Sequence, residues 1–218
     1  HSLGEYTALT AAQSLSFKDA VELVALRGLW MQEAVPQGTG SMAAILGLDN
    51  DAIETACRDA SGTQIVQAAN LNSPGQTVIA GHKEAVERAC AILKDLGAKR
   101  ALMLPVSVPS HCDLMKPAAQ KLQEKLSTLT IQAPKIPVIH NVDCHMHVSS
   151  EAIRKALTDQ LFKPVQWIGT IEKMHTLGVK TIVECGPGKV LSGLIKRIEP
   201  AVSCFAINGP NDIQSLLK

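Results

Sequence analysis

QTVIAGHKEAVERACAILKDLGAKRALM (residues 76–103) passes from a β-branched apolar run, through residues at helical spacing closed by Gly97, to a second apolar run. It reads as strand, helix, strand. Upstream, MAAILGL (42–48) predicts a strand, DNDAIETACRDA (49–60) a helix opening at an Asp/Asn cap, and IVQAANLN (65–72) a second strand. The turn Ser73-Pro74-Gly75 joins that strand to QTVIAG, and the last strand is expected to run through RALMLPVS (100–107). The order βαββαβ is the ferredoxin-like split unit, over about residues 41–106, compact enough to be an inserted subdomain.

Working outward, HSLGEYTAL (1–9) leads into a short helix, and Ser16 is placed to cap FKDAVELVALRGLWMQEAV (17–35). The latter carries Ala20, Leu23, Val24 and Met31 on one stripe, with Arg27 on the same stripe. VPQGTG (35–40) then breaks the helix. Beyond the split unit the pattern predicts a helix over 114–126, a strand IPVIHNV (136–142), and helices over 150–161 and 168–177. A strand KTIVEC (180–185), the turn GPGK, a helix VLSGLIKRI (190–198) and a strand VSCFAIN (202–208) complete the chain. Strands alternating with helices argue for a parallel sheet with functional groups at its carboxyl ends. The expected architecture is α/β: residues 1–40 and 107–218 form a parallel-sheet core, and residues 41–106 form the insert.

The 218 residues, 46% hydrophobic and 19% charged, describe an ordinary globular protein rather than a disordered tail. A formal net charge of +1 provides no global field for nucleic acid or an anionic membrane. No apolar run approaches the roughly 18 residues of a membrane span, and no signal peptide is visible, so a cytoplasmic protein is expected. Six scattered cysteines without a CxxC pair read as core thiols of a reducing compartment.

Three side chains stand out chemically. Ser2 lies where a strand would turn into a helix, in what resembles the second half of a Gly-x-Ser-x-Gly elbow; it is either a nucleophile or a helix N-cap. The fragment His1-Ser2-Leu3-Gly4, without an initiator Met, reads as the continuation of something longer. His111 sits in PVSVPSHCDLM (105–115), a proline-bounded loop after a strand, and is either the base for Ser2 or a surface-loop histidine. Asp113, two residues on, need not face the imidazole, and a backbone carbonyl can orient the ring instead. Arg27 must meet an anion, because a buried unpaired guanidinium costs several kcal/mol; the anion is either an internal carboxylate or that of a ligand. The turn CGPGK (185–189) lacks the spacing of a phosphate loop, and its glycines suit a tight strand-to-helix turn. Asp143-Cys144-His145-Met146-His147 crowds metal-type ligands into one loop without partners at suitable spacing, so no metal site is expected.

HSLGEYTAL, ALRGLWMQEAVPQGTGSMAAILGL (25–48), NLNSPGQTVIAG (70–81), LPVSVPSHCDLMKP (104–117), FKPVQW (162–167) and VECGPGKVLSGL (183–194) together resemble the malonyl-CoA:acyl carrier protein transacylases of bacterial type II fatty acid synthesis. The match runs in order from the first residue to near the last. The resemblance implies an α/β-hydrolase-like core and an acyltransferase in which Ser2 accepts the malonyl group and His111 is general base and acid. It further implies that Arg27 holds the free malonate carboxylate and that Gln160 orients the histidine through its backbone carbonyl. Leu3 would provide one oxyanion N–H, and Met42, Asn72 and Val190 would line the acyl pocket. The family's other oxyanion donor belongs to a Gly-Gln-Gly stretch that is absent from this sequence, together with the strands around it, so the chain as written is expected to be inactive alone.

The implied partners are malonyl-CoA and acyl carrier protein, with no cofactor, no nucleic acid, no membrane and a monomeric state; coenzyme A and phosphopantetheine thioesters are substrates. Carrier proteins are acidic, which makes Lys189, Lys196, Arg197 and Lys116 candidate docking cations, although each also fits an ordinary solvated face. Competing readings are a serine esterase or thioesterase, a loading or extender domain of a polyketide synthase, and a catalytically incomplete carrier-protein-binding fragment. The esterase order places the histidine near the C-terminus, unlike His111.

Overall fold

Four antiparallel neighbours in the order β2-β3-β1-β4 form the larger sheet of the computed structural model, which describes residues 1–106 and 108–216. The strands are β1 (Gly40–Leu46), β2 (Val66–Ser73), β3 (Gln76–His82) and β4 (Arg100–Met103). Helices α3 (Asn50–Ser61) and α4 (Lys83–Asp95) connect them, so the βαββαβ order expected from the sequence is present. Asp49 caps α3 by accepting from the Ala52 N–H at 2.8 Å, and Gly97, at φ +93°, follows α4.

The sheet is buried on both faces, which explains why MAAIL alternates so little. Ala43, Ile45, Val66 and Ile79 pack against Ile53, Ala89 and Leu93 of α3 and α4. Met42, Ala69, Val78 and Ala80 cluster on Cys112. β4 ends at Met103 rather than continuing through the expected 100–107: Leu104 still donates to Met42 O, but Pro105 has no N–H to give the ladder, and Ser107 lies outside the described residues.

A second core joins α1 (Gly4–Ala11), α2 (Phe17–Glu33), α5 (Lys116–Ser127) and α6 (Ser150–Asp159) through Tyr6, Leu9, Leu23, Leu122, Leu126, Ile153 and Leu157. Ser16 caps α2 by accepting from the Asp19 N–H, as its position before the amphipathic run predicts. Each fully buried Leu or Ile here contributes roughly 1.5–3 kcal/mol, so a few suffice to offset the burial of one guanidinium from α2.

The remaining elements are α7 (Trp167–Thr176), β5 (Thr181–Cys185), α8 (Val190–Ile198), β6 (Ser203–Ile207) and α9 (Pro210–Leu216), the last not anticipated. β5 and β6 pair in parallel, with Val183 and Phe205 exposed; among the described residues this two-stranded pair is what stands for the expected parallel sheet. The expected strand at 136–142 does not form. Ile139 makes an isolated bridge to Met146, and the backbone N–H of Asn141 is taken by the Glu5 carboxylate instead of a neighbouring strand. No helix of the described residues is long and apolar enough to cross a membrane.

Candidate active site

Ser2 precedes α1, and the N-cap position belongs to Leu3, whose backbone is helical and whose side chain makes no cap bond. The cap alternative for Ser2 is therefore excluded. Its hydroxyl oxygen instead accepts from Arg27 Nη2 at 3.3 Å. Leu3 is exposed, and its N–H belongs to the first turn, where helix N–H groups lack intrahelical acceptors.

Arg27 is buried on α2, over the Tyr6 ring at 5.7 Å. Nη2 donates to Ser2 Oγ and to Gln160 Oε1, the latter at 3.2 Å, while Nε is buried without a partner among the described residues. No carboxylate pairs with it among the described residues, so the internal salt bridge considered from the sequence is absent. The guanidinium is a desolvated cation, held beside a hydroxyl by neutral groups.

His111 is a buried residue, 4% exposed, rather than the surface-loop histidine its sequence context allows. Its φ of +63° puts a non-glycine residue in the left-handed region, a strained conformation that surrounding bonds must hold. Two consecutive residues hold it: its backbone N–H donates to Leu161 O at 3.0 Å, and Nδ1 lies 2.7 Å from Gln160 O. A carbonyl can only accept, so Nδ1 carries the proton and Nε2 keeps a free lone pair, the tautomer of a general base. A Cβ at Gly40 would come within 2.4 Å of Pro109, so the start of β1 admits only glycine where it presses on this loop. Asp113 turns away, pairing with Lys116 at 2.9 Å.

Burial pushes the imidazole pKa down from 6.5 to about 4; the Gln160 carbonyl acts in the opposite sense, and the Arg27 charge adds to the fall. The imidazole is thus neutral across the physiological range. If His111 is the base, acylation of Ser2 should hold its rate as pH is lowered through 6.5 and decline only toward the depressed value near 4. A pH profile of covalent adduct formation checks this, and a midpoint between about 6 and 7 contradicts it. The same depression makes the unfolded chain bind more protons between about 4 and 6.5, so His111's contribution to stability is lost as pH falls through that window.

Gln160 is fully buried. Its Nε2 donates to Ser2 O at 3.1 Å and to Glu5 Oε2 at 2.9 Å, its Oε1 accepts from Arg27, and its carbonyl holds His111. Ser2, Arg27, Gln160 and His111 therefore form one bonded constellation. Asn72 and Val190 line a cleft of about 440 Å³ with His1, Gly4 and Glu184, and Asn72 Oδ1 is 3.0 Å from His1 Nε2. Met42 is not on that cleft; it is buried on β1 in a cluster with Ala69, Val78, Ala80 and Cys112. His111 borders a different cleft, of about 430 Å³, with Gln67, Asp113 and Lys163. A further groove, of about 970 Å³, runs between α5 and α6 and includes Lys116 but not Ser2, Arg27, His111 or Gln160.

Just before the turn CGPGK, Glu184 accepts from the N–H groups of Leu191 and Ser192, anchoring the start of α8, and within the turn the Gly188 N–H donates to Asn208. Asp143 is engaged by His147 at 2.8 Å and by the His145 N–H; no metal-binding cluster occurs among the described residues. The buried Glu5, His140 and Asn141 were not singled out from the sequence. Glu5 and Leu9 share the buried face of α1, so the periodicity that flags Arg27 also flags Glu5.

The acyl transferase domain family matches residues 1–201. The malonyl CoA-acyl carrier protein transacylase of Escherichia coli K12 is 56% identical over 218 residues, spanning 100% of this chain and 71% of its own length. A crystal structure of an acyl carrier protein S-malonyltransferase from Vibrio cholerae superposes with a TM-score of 0.98 at 52% identity, covering 99% of this chain and 71% of that one. A malonyl-transacylase solved in complex with its type II polyketide acyl-carrier protein gives a TM-score of 0.98 at 53% identity, over 100% of this chain and 70% of that one. With a family match over most of its length and relatives of this similarity, the chain belongs to the acyl transferase domain family.

Proposed function

We propose that the protein transfers a malonyl group from coenzyme A to the phosphopantetheine thiol of acyl carrier protein through a malonyl-serine intermediate. The observation that carries the reading is Arg27: a buried guanidinium 3.3 Å from the Ser2 hydroxyl, with no carboxylate partner among the described residues. An acyl group esterified to Ser2 and ending in a free carboxylate satisfies that charge; an acetyl group does not. Relatives named for malonyl transfer, one of them solved with a carrier protein, support the same substrates.

His111 Nε2 takes the Ser2 proton as Oγ attacks the thioester carbonyl. The Leu3 N–H, at the start of α1, donates to the developing oxyanion. Collapse breaks the C–S bond, and the imidazolium returns its proton to the departing coenzyme A thiolate. The carrier thiol then loses its proton to His111 and attacks the malonyl ester, and Ser2 leaves with that proton. These steps need acid–base and nucleophilic groups of the chain, and no cofactor is invoked.

We read β1–β4 with α3 and α4 as a ferredoxin-like subdomain, residues 41–106, inserted into an α/β-hydrolase-like subdomain formed by residues 1–40 and 107–218. The βαββαβ order and the β2-β3-β1-β4 arrangement support the first part, and the parallel β5–β6 pair supports the second. The acidic carrier is expected to meet Lys189 and Lys196 more readily than Lys116 or Arg197, which already bond Asp113 and Gln76.

The natural full-length protein, incubated with malonyl-CoA, should gain one malonyl mass that persists in buffer and is discharged when holo carrier protein is added. A mass that decays in buffer at the rate of turnover indicates a hydrolase and overturns the transferase reading.

A further inference from the structure

Glu5 is buried, 5% exposed, one helical turn beyond Ser2, and it touches neither His111 nor Arg27 through any bond in the structure. Its carboxylate is nevertheless saturated. Oε1 lies 2.6 Å from His140 Nδ1; Oε2 accepts from the Asn141 N–H at 3.1 Å, Asn141 Nδ2 at 2.7 Å and Gln160 Nε2 at 2.9 Å. Three amide donors on one oxygen leave it no role but acceptor.

This matters for the direction of the Gln160 amide. A primary amide has a donor end and an acceptor end of nearly equal shape, and here the two ends face opposite charges: a carboxylate on one side, the Arg27 guanidinium on the other. With Nε2 toward Glu5 and Oε1 toward Arg27, both contacts attract. The flipped amide sets oxygen against carboxylate and NH2 against guanidinium, and also removes the Nε2 bond to Ser2 O. Glu5 therefore selects one of the two orientations, and through it offers Arg27 a fixed acceptor beside Ser2.

Resting on the malonyl-transfer reading, we infer that Glu5 is a positioning residue: its carboxylate locks the side-chain amide of Gln160 so that Arg27 is held in register with the acyl group on Ser2, which makes Glu5 a determinant of malonyl selectivity. The anchor beneath it is the loop carrying His140 and Asn141, with the His140 ring fully buried and its Nε2 unpartnered among the described residues. Because the histidine base is held by the Gln160 backbone rather than its side chain, the effect falls on substrate choice more than on proton transfer.

The test is the ratio of Ser2 acylation rates with malonyl-CoA and acetyl-CoA, read by intact mass on full-length protein. Glu5→Ala should lower that ratio about tenfold, the scale of a lost hydrogen bond to a charged group, with acetyl acylation falling less than malonyl. Glu5→Gln, whose amide oxygen can still accept from Gln160, should restore the ratio to within about threefold of wild type. A merely structural role lowers the amount of folded protein and leaves the ratio in the folded fraction where it was; that result overturns the inference, as does a Gln variant as unselective as the Ala variant. If Glu5→Ala is not recovered folded, Glu5→Asp, which withdraws the carboxylate by one methylene, takes its place: a fall of at least about threefold supports the inference and an unchanged ratio overturns it. A wild-type protein that forms no malonyl adduct sinks the function itself, whereas an adduct with selectivity indifferent to Glu5 sinks the positioning role alone.

Discussion

Ser2→Ala protein incubated with malonyl-CoA keeps its unmodified mass, and transfer to a carrier thiol falls by at least about a thousandfold. Without the hydroxyl there is no ester, and in a ping-pong reaction no second half. Loss of fold does not account for such a result. Ser2 is half-buried and contributes to its surroundings through the 3.3 Å bond from Arg27, which keeps Gln160 as its other acceptor. A bond of that kind is worth about 1 kcal/mol, so the thermal midpoint of the variant should stay within a few degrees of wild type. A malonyl mass shift persisting in Ser2→Ala refutes the assignment of the nucleophile.

Arg27→Ala should collapse discrimination rather than abolish chemistry. Removing a desolvated charge from its partner costs roughly 2–5 kcal/mol, so malonyl acylation is expected to fall by at least about thirtyfold. Acetyl acylation, which never used the charge, should be preserved or improved, because the variant no longer buries an unpaired guanidinium next to a neutral acyl group. Gln160 Oε1 loses its donor in the same variant, leaving its Nε2 bonds to Glu5 and Ser2 in place. Competition between malonyl and acetyl donors measures the outcome, and an unchanged preference removes Arg27 from carboxylate recognition.

The two predictions differ in kind because the two side chains were legible differently. Arg27 stands out physically from its position alone: a charge on a stripe with Leu23 and Met31 must find an anion. Ser2 carries no burial signal of that kind: HSLG offers half of an elbow motif and a resemblance, and the fold places its hydroxyl 3.3 Å from the guanidinium. Glu5 obeyed the same rule as Arg27, yet a carboxylate in the first turn of a helix is unremarkable for its dipole, and that ordinary explanation hides the buried one. His111 was legible as a loop histidine between prolines, but its burial, its positive φ and its tautomer depend on Gln160 and Leu161, about fifty residues away.

Local pattern determined the split βαββαβ unit, the caps at Ser16 and Asp49 and the helical stripe that buries Arg27, because each depends on periodicity and hydrogen bonds within a few residues. It failed at 136–142, where the run makes an isolated bridge from Ile139 to Met146 and the backbone N–H of Asn141 donates to Glu5 of α1. Only the tertiary structure decided that Glu5 of α1, Arg27 of α2 and His111 of the loop after β4 meet around Gln160 at the end of α6. Sequence spacing specifies which face a residue presents, whereas the partner waiting on that face is set by the packing of elements distant in the chain.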